Sequence, residues 1–128
     1  YFFFFFLYRT LRPTGPLDRP EEVAGMALEW LVAQHLRAWI AQRNASDRLY
    51  YWRTKSGTEV DFIVYGPETF SAWEVKHAAK VHATDLRALK TFREDYPEAQ
   101  VAMLYLGQER LEIEGIPVIP CADFLRGL

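Results

Sequence analysis

The sequence is poor in several features that would narrow its function quickly. Among its 128 residues there is one cysteine, Cys121. No internal disulfide can form, and a reducing compartment, the cytoplasm, is the expected location. Histidine occurs three times, as His35, His77 and His82, with no cysteine nearby, which is a poor basis for a zinc site. Positive charge is not in excess: 15 Lys and Arg against 17 Asp and Glu leave a formal charge of -2. A nucleic-acid partner would therefore have to be held by a local patch, not by the field of the whole chain. No Gly-x-x-x-x-Gly-Lys-Ser/Thr loop occurs, so these residues carry no nucleotide-phosphate cradle of that type. No apolar run approaches the ~20 residues needed to span a bilayer. The longest at the N-terminus, YFFFFFLY, is followed at once by Arg9 and lacks a basic leader and a cleavage site. No membrane partner is expected.

What is present is apolar mass. Half the residues are hydrophobic and 16% are aromatic, enough for one domain with its own core. YFFFFFLY reads either as a strand belonging to a longer parent chain or as an ordinary core strand. Residues 10–20, TLRPTGPLDRP, carry three prolines and a glycine and read as a connector. Two units are expected on this basis: residues 1–20 as strand and connector, and residues 21–128 as the domain proper.

Pro20, Glu21 and Glu22 suit a helix N-terminus, and helical spacing continues to about Asn44. Leu28, Leu31, Val32, His35, Leu36, Trp39 and Ile40 form its apolar stripe, with Glu29 inside it and Trp30 on the opposite side. RLYYWRTKSGTEVDFIVYG reads as a β-hairpin, and FSAWEVK as a third strand after the turn GPET. ATDLRALKTFREDYP reads as a helix capped by Thr84 or Asp85 and stopped before Pro97. QVAMLYLG has the pattern of a strand buried on both faces, and IPVIP and CADFLRGL close the chain as a strand and a short helix. The predicted order is α-β-β-β-α-β with a βα appendage, an α/β fold with a mixed sheet flanked by helices.

Four residues stand out from this scaffold. Glu29 falls in an apolar stripe, Asp61 opens an apolar strand, and Glu74 and Lys76 share one face of the third strand. Burying an unpaired carboxylate costs several kcal/mol, so acids placed like this are normally paired, hydrogen-bonded or bound to a cation. Lys76 can neutralise one acid, not three. A divalent cation resolves the excess, and hard carboxylate ligands favour Mg2+ or Mn2+. Taken alone, Glu74 and Lys76 also fit a solvated ion pair worth ~0–1 kcal/mol, and Glu29 could equally pair with an arginine.

The ordered set Glu29, Asp61, Glu74-x-Lys76 resembles the PD-(D/E)XK, or restriction-endonuclease-like, nuclease pattern, and the α-β-β-β-α-β order matches its core. ALEWLVAQHL, YYWRTKSGTEVDFIV and WEVKHAAKVHATDLRALKTF are similar to a C-terminal domain of unknown function that follows the ATPase module of prokaryotic AAA-type ATPases. The resemblance covers roughly residues 20–107. It implies that Asp61 and Glu74 hold the cation, with the Val75 carbonyl as a third ligand and Glu29 completing the site, in part through water. Lys76 would then orient or activate a water. The implied reaction is phosphodiester hydrolysis in nucleic acid, DNA in the first instance, with the ATPase module as partner. Lys80, Arg87, Lys90 and His77 are the residues expected to meet a nucleic-acid backbone, although a solvated face explains them as well. The alternative is a catalytically silent recognition or docking module that regulates an ATPase.

Overall fold

The computed structural model describes residues 20–43 and 46–128. The phenylalanine run and the connector through residue 19 lie outside the described residues. The first helix, α1 (Pro20–Gln42), starts at the proline and carries Glu21 and Glu22 in its first turn, where carboxylates complement the helix dipole. A hairpin comes next, β1 (Arg48–Arg53) and β2 (Glu59–Tyr65). Its turn closes through Thr54 and Thr58, with Gly57 at φ 90°, a left-handed conformation that glycine adopts without a Cβ penalty. Strand β3 (Phe70–Val75) lies after the hairpin. A single 3-10 turn (Ala83–Leu86) then leads into α2 (Arg87–Asp95). The chain ends with β4 (Gln100–Tyr105), β5 (Leu111–Ile113), β6 (Ile116–Pro120) and α3 (Cys121–Gly127). Strand β5 is absent from the expected pattern. At three residues it is too short to show a period, and it forms only because a turn through Glu114 and Gly115, both at positive φ, folds it back onto β6.

The strands make one six-stranded sheet in the order β1-β2-β3-β4-β6-β5. β1, β2 and β3 pair antiparallel, β4 lies parallel to β3 and to β6, and β5 returns antiparallel on the edge. The fold is therefore α/β with a mixed sheet flanked by helices, as expected. Residues Val101–Tyr105 of β4 are all buried, which the near-continuous apolar run predicts for a strand covered on both faces.

One face of the sheet is covered by α2. Leu86, Leu89 and Phe92 pack there on Val60, Ile63, Ala72, Val101, Met103, Tyr105, Ile116 and Val118. The other face is covered by α1 and α3, where Val32, Leu36 and Cys121 meet Val64 and Leu104, with Trp73 and Val75 beside them. Cys121 is 4% exposed and burial pushes its thiol up to about 11, so it is a small apolar core residue rather than a nucleophile.

The hairpin is not regular throughout. β1 and β2 pair at Tyr50↔Ile63 and again at Trp52↔Val60. One residue of β1, Tyr51, thus faces two of β2, Asp61 and Phe62, which defines a β-bulge in β2. The bulge is why Val60 and Ile63, three positions apart, both face α2.

Phe92 anchors the α2 layer and meets Trp52 and Phe70 edge-on at centroid distances of 5.3 and 5.9 Å. Phe92→Ala is expected to destabilise the domain by ~3–5 kcal/mol, measured by urea unfolding.

Candidate active site

The site forms where β2 and β3 part. Their ladder runs from Tyr65↔Phe70 to Phe62↔Trp73, and the next position would set Asp61 against Glu74. The bulge interrupts regular pairing there. The Val75 amide donates to Asp61 Oδ2 at 2.8 Å instead of to a backbone carbonyl. Asp61 therefore lies nearly in the plane of the sheet, in the notch between the strands. β3 continues beyond the notch along β4, with the Lys76 amide donating to the Leu104 carbonyl at 2.7 Å.

Glu74 and Lys76 leave β3 on the face covered by α2, the face of Ala72. The Lys76 ammonium does not turn back to Asp61 or Glu74. It bonds Asp85 Oδ1 at 3.1 Å, at the start of the α2 segment. Asp85 in turn accepts the His82 amide on Oδ2 at 2.8 Å. That amide and the Lys76 ammonium hold the Asp85 carboxyl below its ordinary range, against a smaller opposing effect of burial. The N-cap position belongs to His82, and Asp85 reaches back to it from inside the turn. Neither Thr84 nor Asp85, the expected caps, holds the N-cap position; Asp85 instead bridges the helix start and Lys76.

Glu29 arrives from the other layer. It does not lie within the buried stripe: Ala27, Val32, Leu36 and Ala38 are the buried residues of α1, and Glu29 stays at the exposed rim. The stripe read from periodicity is real but centred away from it. His35, by contrast, lies on the stripe, partly buried with Nδ1 at 2.9 Å from the Leu31 carbonyl.

The three expected acids nonetheless feel one another. Burial raises the Glu74 carboxyl to about 8, with Asp61 and Asp85 adding to the rise, Lys76 opposing it and Glu29 adding the remainder. Burial also raises Asp61, partly offset by the Val75 amide and reinforced by Glu59. Partial desolvation raises Glu29 to about 7, with Asp61 and then Glu59 contributing. Among the described residues, buried Glu74 Oε2 has no hydrogen-bond partner. Among the same residues, no three His, Cys, Asp or Glu side chains form a ready-made cation cage. The donor set still suits a hard cation: a buried unpartnered carboxylate oxygen, a second carboxylate in the same notch, and a lysine already committed elsewhere.

The residues expected along a nucleic-acid backbone are not gathered in the same way. His77 sits against α1, its Cβ within 3.6 Å of where a side chain on Gly25 would begin. Lys80 and Arg87 are exposed, and Arg87 lines a shallow hollow on α2. Lys90 is bound to Glu114 across the β5–β6 turn and lines the same hollow as Arg87. Arg53 pairs with Glu59 at 2.5 Å across the hairpin, both exposed, a contact of little energetic weight.

A family model for a domain of unknown function, DUF4143, matches residues 24–124. The chain belongs to this family. No curated protein gives a significant match. The DUF4143 match spans α1 through most of α3 and so includes every acid of the notch. Among the described residues no helix is long and apolar enough to cross a membrane.

The acid cluster has a measurable signature. With a folded value near 8 against 4.5 unfolded, Glu74 binds a proton more tightly in the native state. Its contribution is therefore most favourable below pH 4.5 and is lost as pH rises to about 8. Glu74→Gln is expected to gain stability relative to the wild type across that window, on the order of 4–5 kcal/mol by pH 8.5 and close to none at pH 4. Urea unfolding at a series of pH values, without divalent ions, gives the difference.

Proposed function

We propose that this DUF4143 domain is a metal-dependent phosphodiesterase acting on nucleic acid, with the PD-(D/E)XK arrangement that its sequence resembles. The observation that carries the reading is the notch. Glu74, with a buried carboxylate oxygen that has no partner among the described residues, and Asp61, bonded to the Val75 amide, lie where β2 and β3 part, with Lys76 just past the end of β3 and Glu29 on α1 in the opposite layer. Asp61 and Glu74 would hold Mg2+ or Mn2+, with the Val75 carbonyl on the same side of β3 as the amide that Asp61 takes, and Glu29 approaching from α1 through water. Such an ion, when bound, stabilises charge on a phosphoryl oxygen and lowers the pKa of a bound water.

The chain's own residues supply the remaining roles. The Lys76 ammonium, aimed by Asp85, places positive charge and hydrogen-bond donors beside the notch, where negative charge develops on the scissile phosphate. Asp85 is a positioning residue: it touches Lys76 and is tied to the backbone at His82. The site opens beyond the carboxyl end of β3, the usual place for a ligand on a sheet of this type.

The test uses the full-length chain with single- and double-stranded DNA and RNA in the presence of Mg2+ or Mn2+. Cleavage is expected, reduced at least ~100-fold by Lys76→Ala or Glu74→Ala and ~10-fold by Asp85→Ala. No cleavage of any substrate, or cleavage undiminished in the Lys76 and Glu74 variants, would falsify the reading.

A second reading, docking without turnover onto an ATPase, is favoured by one feature. Tyr50, Tyr51, Tyr65 and Tyr96 are exposed around an aromatic groove of about 360 Å3 on the α2 face. Tyr51→Ala with Tyr65→Ala is expected to weaken co-purification with the ATPase module at least tenfold if the groove docks it. Unchanged co-purification sinks this second reading.

A further inference from the structure

Side chains from three strands and a helix build the aromatic groove of about 360 Å3. Strand period sets its floor: Tyr50 and Trp52, two positions apart on β1, share a face, and Tyr65 pairs with Phe70 across β2 and β3. Tyr96 joins them from the end of α2, and Glu98 from the turn in which the Ala99 amide donates to the Tyr96 carbonyl. Of the nine described residues lining the groove, seven are aromatic and one, Glu98, is charged. The rings are set steeply to one another. Phe70 meets Tyr65 at 79° and Phe92 at 85°, and Trp52 meets Phe92 at 82°. Rings at such angles make the walls of a box rather than a flat stack. Tyr50, Tyr51 and Tyr65 are each more than half exposed, so the box opens to solvent.

The chemistry of this lining is one-sided. Aromatic faces carry negative potential and attract cations. Glu98 adds a full negative charge, and the C-terminal end of α2 beside Tyr96 adds the partial charge of the helix dipole. No described residue of the lining is basic, so a phosphate or carboxylate finds no partner there. A primary ammonium has three N–H groups to satisfy and is tightly hydrated, a loss that one carboxylate does not make good. A quaternary ammonium has no N–H, and its methyl groups pack directly on the rings. We propose that this groove is a binding site for a quaternary ammonium group, held by cation–π contact with the aromatic rings and by the charge of Glu98. Such a group occurs in small molecules such as choline and on trimethylated lysine side chains. Glu98 precedes β4 and Lys76 follows β3, and these strands are parallel, so the acid of the groove lies at the opposite end of the sheet from Lys76. The site therefore does not depend on the nuclease reading.

The test is proton NMR of choline titrated against the full-length chain, beside the neutral isostere in which carbon replaces the nitrogen. The choline methyl resonance is expected to move upfield and saturate, because ring currents act on protons held over aromatic faces, with Kd on the order of 1 mM. The isostere has the same shape and no charge, and is expected to bind at least about tenfold more weakly. Tyr65→Leu and Glu98→Gln, both at exposed positions, should each weaken choline binding by about threefold or more. A peptide carrying trimethyllysine and its unmethylated twin identify the source. Tighter binding of the methylated peptide assigns the site to a modified side chain, tighter binding of choline to a free small molecule, and either upholds the proposal. No saturable shift with any probe, which is the result for a groove that docks an ordinary protein surface, overturns it. So does an isostere that binds as well as choline, or choline binding unchanged in both variants.

Discussion

The structure turns on a charge that is not neutralised from within. The Glu74 and Asp61 carboxyls lie where the pairing of β2 and β3 ends, each raised by burial, and nearby Lys76 is engaged by a further carboxyl, Asp85. A folded domain tolerates such a cluster only by keeping protons on it, by hydrogen bonding or by taking up a cation. Asp61 uses the second route, through the Val75 amide. Among the described residues Glu74 Oε2 has no hydrogen-bond partner, and the affinity of this carboxylate for a proton rises with its burial.

The notch depends on a local fault in the sheet and on a strong frame around it. The bulge at Asp61 and Phe62 ends regular pairing between β2 and β3 and frees the Val75 amide for a side chain. Bulges weaken a ladder, so the neighbouring contacts have to hold the strands in place. They do so on both faces: Val60 and Ile63 are locked under α2, and Phe62 packs beneath α1 with Trp73 and Val75. The parallel pairing of β3 with β4 is continuous past the notch, which keeps Glu74 and Lys76 on a rigid strand while their antiparallel neighbour diverges. Rigid elements carrying the charged groups, and an opening made by one irregularity, are what a preorganised site requires.

Much of the scaffold was legible because it is periodic. Helix α1, the hairpin, β3, the doubly covered β4 and the closing strand and helix are all set by spacing and turn chemistry. What escaped has no period. β5 is three residues held by a turn, the bulge is a mismatch between two strands rather than a property of either, and the 3-10 turn before α2 resembles an ordinary helix start. Glu29 was legible as an anomaly but misplaced in depth, because a helical wheel ranks residues around an axis and does not say where the neighbouring sheet lies. Asp85 was legible at the helix start, although the N-cap position falls to His82, and not as a partner of Lys76, since the eight residues between them reveal nothing of their distance in space. The pairing of Lys90 with Glu114 was equally hidden, another contact across distant segments.

By itself, the sequence determined which elements form, in what order, and which chemical groups are at hand: three anomalous acids, one lysine on the same strand face as one of them, no cysteine pair and no excess of basic charge. Backbone propensity and hydrophobic period are local quantities, and local information suffices for them. Only the tertiary structure decided that Asp61 takes the Val75 amide, that Glu29 lies at the exposed rim of α1 in the opposite layer, and that Lys76 is held by Asp85. Those relations depend on strand register and on how helices settle across a sheet, which are set by packing between residues far apart in the chain.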